Sequence, residues 1–205
     1  IVKSSNIGTA IIASQIGKKT QQQFFQKLGF YNKINLEIDE TAMPSANSNN
    51  WGKLETMTIG YGHGFAITPL HLASAYASIL NKGKKLDPKI ILNNKEKFFT
   101  QIIKKETSDY ISLLLRAVVE ETNYTGPRVK IEGYDIGGKT GTAELINTSG
   151  EYDDNLNRTI FVGAFPMDNP KYLVLTIIDK PKRKKITDSI TSATVNTPLV
   201  RNIII

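Results

Sequence analysis

The chain is 205 residues long, 40% hydrophobic and 22% charged, which suits one domain with a core of its own and excludes a disordered segment. A formal net charge of +7 favours anionic partners, although much of the excess lies in one short run near the C-terminus. There is no cysteine, so disulfides, thiolate metal sites and a cysteine nucleophile are excluded.

Ser5 and Asn6 are both N-cap residue types, and they precede Ile7, Ala10, Ile11 and Gln15 at helical spacing. Gly17 is a stop signal for that helix. Lys19 to Leu28 reads as a second helix closed by Gly29. Residues 39 to 58 read as irregular, because Pro44 and the polar stretch Ser45 to Asn50 are loop signals. Trp51, the only tryptophan, is expected to anchor that loop on the core. Thr68-Pro69 is a strong helix start: a cap residue, then proline at the first helical position. Leu72, Ala75, Tyr76, Ile79 and Leu80 follow as one apolar stripe, and Gly83 closes it. A further helix is predicted from Ser108 to Glu121.

The period then changes. Tyr134 to Leu145, rich in glycine, reads as a strand of little side-chain bulk. Thr159 to Phe165 and Tyr172 to Ile178 are apolar β-rich runs, joined by a short turn suited to an antiparallel hairpin. Ala193 to Ile205 is expected to be a covering helix. This order of helices, three strands and a helix predicts an α+β fold with an antiparallel sheet flanked by helices. The parts fall as a mainly helical stretch over 1–130 and the strands with the last helix over 131–205, within one domain.

Chemistry concentrates at Gly138-Lys139-Thr140-Gly141-Thr142-Ala143. The string sets a cation, two hydroxyls and a side-chain-free position on one strand. Thr140 and Thr142 share a side of it, and the glycine lets a ligand approach the backbone. Lysine beside hydroxyl donors suits a carboxylate, and outward N–H groups suit an oxyanion. Taken alone, the tripeptide reads first as a glycine-rich strand with a solvated lysine. Ser4-Ser5-Asn6 has two explanations as well: helix capping, or a hydroxyl proton shuttle with an amide clamp.

The two strings gain meaning together. Serine enzymes that recognise penicillin use S-x-x-K, S-x-N and K-T-G elements. Ser4-Ser5-Asn6 has the form of the second and Lys139-Thr140-Gly141 that of the third, in the right chain order. KSSN from Lys3, TIGYGHGFAITPLHLASAYASILNKG from Thr58 to Gly83, GGKTGTAE from Gly137 to Glu144, and FVGAFPMDNPKY through Asp179-Lys180-Pro181 extend the likeness over nearly the whole chain. On those strings the chain resembles the transpeptidase domain of class B penicillin-binding proteins, closest to the division type. The resemblance implies a β-lactamase-like fold and serine acyl transfer that cross-links peptidoglycan stem peptides, with β-lactams as inhibitors and no cofactor. It implies that Ser4, Asn6 and Lys139 are catalytic, that Thr140, Gly141 and Thr142 bind substrate, and that the Thr142 N–H enters the oxyanion hole. It also implies a membrane-anchored parent protein facing the periplasm or cell exterior, with a glycosyltransferase and divisome proteins as further partners.

One departure narrows this expectation. No Ser or Thr in the chain has a lysine three positions on, so the S-x-x-K nucleophile is not among these residues. The chain opens on Ile1 and is expected to begin after that nucleophile, without the first strands, pedestal and anchor, and to be inactive alone. A β-lactam-hydrolysing or sensing relative, or an inactive binding module, are the alternatives. No run approaches the roughly 18 apolar residues of a membrane span. His63 and His71 are the only histidines, too few for a zinc site without cysteine, so no metal is expected. The basic run Lys180 to Lys185 lacks interleaved aromatics, so no nucleic acid is expected and a solvated loop is preferred.

Overall fold

The computed structural model describes residues 1–46, 51–91, 99–121, 126–147, 149–182 and 189–205. They form two compact units, Ser4–Ser108 and Ile1–Lys3 with Asp109–Ile205.

The first unit is mainly helical. Helix α1 (Asn6–Ile16) begins at Ser5, and Gly17 at φ 79 separates it from α2 (Lys18–Leu28), which ends on a left-handed Gly29. The stretch read as irregular holds two elements, a two-residue strand β1 (Ser45–Ala46) and helix α3 (Lys53–Gly60), while residues 47–50 lie outside the described residues. β1 pairs antiparallel with β2 (Phe65–Ala66). Helix α3 carries no long apolar stripe and buries only Thr56 and Ile59, so it is held by packing rather than by a pattern of its own. At one end the Trp51 indole N–H donates to Thr56 Oγ1, and that hydroxyl donates to the Gly52 carbonyl. At the other end Gly60 meets α1 so closely that a Cβ there would stand 2.5 Å from Ala13 Cβ.

Trp51 is buried among Phe25 and Phe65, so the expected anchor is in place, and Phe30 and Tyr31 complete the aromatic cluster. Helix α4 (Pro69–Leu80) starts as predicted, with Thr68 Oγ1 accepting the His71 N–H. Its inner face buries Ala75 and Leu80, and also His71 and Ser78.

In the second unit, α5 (Lys105–Glu120) contributes from Asp109 onward, followed by the short α6 (Gly126–Val129), β3 (Gly137–Ile146), β4 (Tyr152–Phe165), β5 (Tyr172–Asp179) and α7 (Ser192–Ile204). The sheet is antiparallel in the order β3-β4-β5, so β3 forms one edge among the described strands. Strand β4 begins seven residues before the predicted run; its first half is polar, and ladder pairing past a register shift at Glu144/Leu145 carries it. Phe161 is fully buried at the centre, packed with Val119, Val129, Ile131, Ile136, Val200 and Ile204. Asn196 fastens α7 to the sheet: its amide donates to the Thr159 and Thr176 carbonyls and to Thr176 Oγ1. Arg116 forks onto Asp135, whose carboxylate also accepts the Met167 and Asp168 N–H groups, tying α5 to the β4–β5 turn. The α+β architecture with an antiparallel, helix-flanked sheet is the one predicted.

Candidate active site

The start of α1 separates capping from any other role in the S-x-N string. Ser5 is the N-cap: its Oγ accepts the Gly8 N–H at 3.1 Å, and its carbonyl accepts the Thr9 hydroxyl at 2.9 Å. The middle residue therefore does the capping. Ser4 and Asn6, the two residues the motif singles out, are exposed on either side of it. Ser4 stands at φ 50, in the left-handed region that costs a non-glycine residue about 1–2 kcal/mol. Such strain at a motif residue is a feature of functional sites.

On β3, side chains alternate. Lys139 and Gly141 share one face; Thr140 and Thr142 share the other, as predicted. Lys139 is half-buried and pairs across the ladder with Val162. Its ammonium donates to the Thr140 carbonyl at 2.8 Å. Burial holds its pKa below the ordinary lysine value, because desolvation disfavours the charged form. An ammonium so held gives up its proton more readily than that of a free lysine.

The glycines of this strand are of two kinds. A Cβ on Gly138 would lie 2.5 Å from Phe161 Cζ and 2.7 Å from the Val162 carbonyl oxygen, and one on Gly137 would strike the Met167 side chain at 2.8 Å. These two are glycine because the core needs the space. At Gly141 a Cβ would meet only Ile160 Cβ, at an ordinary 3.8 Å, and no positive φ demands glycine there. The fold leaves this position open, on the face that carries Lys139.

Thr142 Oγ1 accepts the Ser192 N–H at 3.1 Å, while Ser192 Oγ donates to the Ile160 carbonyl at 2.5 Å. Ser192 carries no sequence signal of its own, since a serine at a helix start reads as capping. His71 is structural: Nδ1 lies 2.7 Å from Thr68 Oγ1 and Nε2 lies 2.9 Å from the Asn32 carbonyl. His63 lies beside Tyr61, its ring tilted by 56° with ring centres 5.5 Å apart, between two positive-φ glycines. Among the described residues no group of three metal-ligating side chains exists, and no helix is long and apolar enough to cross a membrane. Of the basic run, residues 183–185 lie outside the described residues. Just before it, Arg158 pairs with Asp179 at the end of the β4–β5 ladder.

The family model of the penicillin-binding protein transpeptidase domain matches residues 1–204. The chain belongs to that family. It is 31% identical to a probable peptidoglycan D,D-transpeptidase FtsI of Caulobacter vibrioides, covering 87% of this chain and 32% of that protein. The FtsI homolog of Mesostigma viride is also 31% identical, over 98% of this chain and 37% of its own length. Thus the chain spans about a third of these curated relatives. Among solved structures, penicillin-binding protein 3 of Mycobacterium tuberculosis complexed with aztreonam superposes with a TM-score of 0.85 at 26% identity, covering 98% of this chain and 48% of that one. The transpeptidase domain of Burkholderia pseudomallei penicillin-binding protein 3 gives the same TM-score and identity, over 98% and 60%.

Proposed function

We propose that this chain supplies the substrate-holding strand and the S-x-N element of a peptidoglycan D,D-transpeptidase, with the serine nucleophile contributed by residues outside these 205. The observation that carries the proposal is Gly141. It leaves the Lys139 face of β3 open although neither packing nor backbone conformation requires glycine, which is what close approach of a ligand's backbone needs. In the reaction, the serine Oγ attacks the carbonyl carbon of a D-Ala-D-Ala peptide bond. The C–N bond breaks, and D-alanine leaves with a proton on its amine. The amine of a second stem peptide then attacks the ester, forming the cross-link and restoring the serine. Lys139 and Ser4 act in moving the proton, Asn6 orients the substrate or the catalytic lysine, and Thr140 with Thr142 holds the terminal carboxylate. The Thr142 N–H steadies the oxyanion. β-Lactams acylate the same serine, and the domain works outside the cell membrane on an anchored protein of the division type.

Labelling with a fluorescent penicillin, read by denaturing electrophoresis, tests this. The protein carrying an S-x-x-K segment ahead of Ile1 is expected to label, and its Gly141→Val variant is not. The 205-residue chain alone is expected to stay unlabelled; a covalent band on it would overturn the claim that the nucleophile lies elsewhere.

A further inference from the structure

Ser192 is the first residue of α7 and is fully buried, and its N–H and its hydroxyl reach the substrate strand and the strand beside it. Its N–H donates to Thr142 Oγ1 at 3.1 Å, and its Oγ donates to the Ile160 carbonyl at 2.5 Å. Ile160 is the ladder partner of Gly141, and Thr159 that of Thr142. One turn further along the same helix, Asn196 donates to the Thr159 carbonyl at 3.2 Å. The start of α7 thus braces the sheet opposite the two residues that follow Thr140.

The bond to Thr142 has a definite chemical consequence. A threonine hydroxyl has one proton and two acceptor lone pairs. With one lone pair filled by the Ser192 N–H, the proton is turned away from α7. Donation into the oxygen also polarises the O–H, making it a stronger donor. Thr142 remains exposed, so that proton is available to a ligand. We infer that Ser192 is a positioning residue: its backbone N–H holds the Thr142 hydroxyl as a donor for the substrate's carboxylate. The inference rests on the transpeptidase reading of Thr142 given above.

The local geometry offers a clean test. Thr191, the N-cap of α7, is extended at φ −133 and ψ 160, the conformation that precedes proline without strain. Ser192 is at the first helical position, where proline is well tolerated. Ser192→Pro therefore removes the N–H and Oγ together, whereas Ser192→Ala removes Oγ alone. In the protein that carries the S-x-x-K segment, acylation by a fluorescent penicillin is measured for both variants, beside their melting temperatures. Ser192→Pro is expected to acylate roughly tenfold more slowly than Ser192→Ala, the effect of one hydrogen bond to a charged ligand. In a Thr142→Val background the two should acylate equally. Equal rates with Thr142 present, or a proline deficit that persists in Thr142→Val, would overturn the inference. Wild-type protein that does not label at all overturns the transpeptidase reading itself, and the inference with it. Should Ser192→Pro not fold, amide exchange decides. Acylation should increase protection of the Ser192 amide in wild type and Thr142→Ser but not in Thr142→Val, and the same change in all three refutes the inference.

Discussion

Lys139 is a charge held where water is scarce, and the two consequences can be separated. Desolvation lowers its pKa, so the folded protein binds this proton less tightly than the unfolded chain. At pH values below the lowered folded pKa both states are protonated, and the native state bears the full cost of burying the ammonium. As pH rises through that value towards the ordinary lysine range the cost fades. Lys139→Met is therefore expected to raise the melting temperature at neutral pH and to lose that advantage near pH ~10.4, measured by thermal unfolding of both proteins across that range. An advantage that did not shrink with pH would show that packing, not charge, was responsible. Gly138 and Gly141 make the complementary case. Gly138→Ala is expected to cost about 1–3 kcal/mol by forcing Phe161 out of place, whereas Gly141→Ala should stay within about 0.5 kcal/mol in urea unfolding. Nothing in the string GGKTG distinguishes these glycines. The difference comes from Phe161 on the next strand, and sequence alone does not show which ring will lie beneath which glycine.

At the level of elements, legibility followed local chemistry. Helix α4 was readable because Thr68-Pro69 and its apolar stripe are all local. Helix α3 was not: the Trp51–Thr56 bond is local but leaves no pattern in the sequence, and the Gly60–Ala13 approach is supplied by α1. The first half of β4 carries no apolar alternation either: its residues are polar and its order comes from its partner strand. At α1 the motif and the cap overlap, and of its three residues Ser5 is the one that caps the helix. Ser5→Ala removes the cap and is expected to lower stability by about 0.5–2 kcal/mol. Ser4→Gly relieves the left-handed backbone and is expected to raise it by up to about 1 kcal/mol. Opposite signs from adjacent serines in the same denaturant titration would show that the string serves two purposes. A loss in both would mean that Ser4 also supports the helix.

For the whole molecule, the family was legible because its strings run from Lys3 to Pro181, but solution behaviour depends on surface that no motif describes. Helix α1 is apolar on nearly every side, a composition suited to full burial. It buries Ala10 and Ala13, while Ile7 is 77% exposed and Ile11, Ile12 and Ile16 are each about half exposed. Leu54 on α3 is 67% exposed. Apolar surface of that extent drives association. The outer edges of β3 and β5 add unpaired backbone groups among the described strands. Expressed as these 205 residues, the protein is expected to self-associate at micromolar concentration in light scattering. The net charge of +7 opposes this, but at physiological salt its repulsion is screened beyond about 8 Å, whereas apolar contact is not. Replacing Ile7 and Ile12 together with lysine separates the two causes. A shift towards monomer assigns the association to α1, while unchanged aggregates that bind thioflavin assign it to the strand edges. A monodisperse wild-type monomer would show that neither surface suffices.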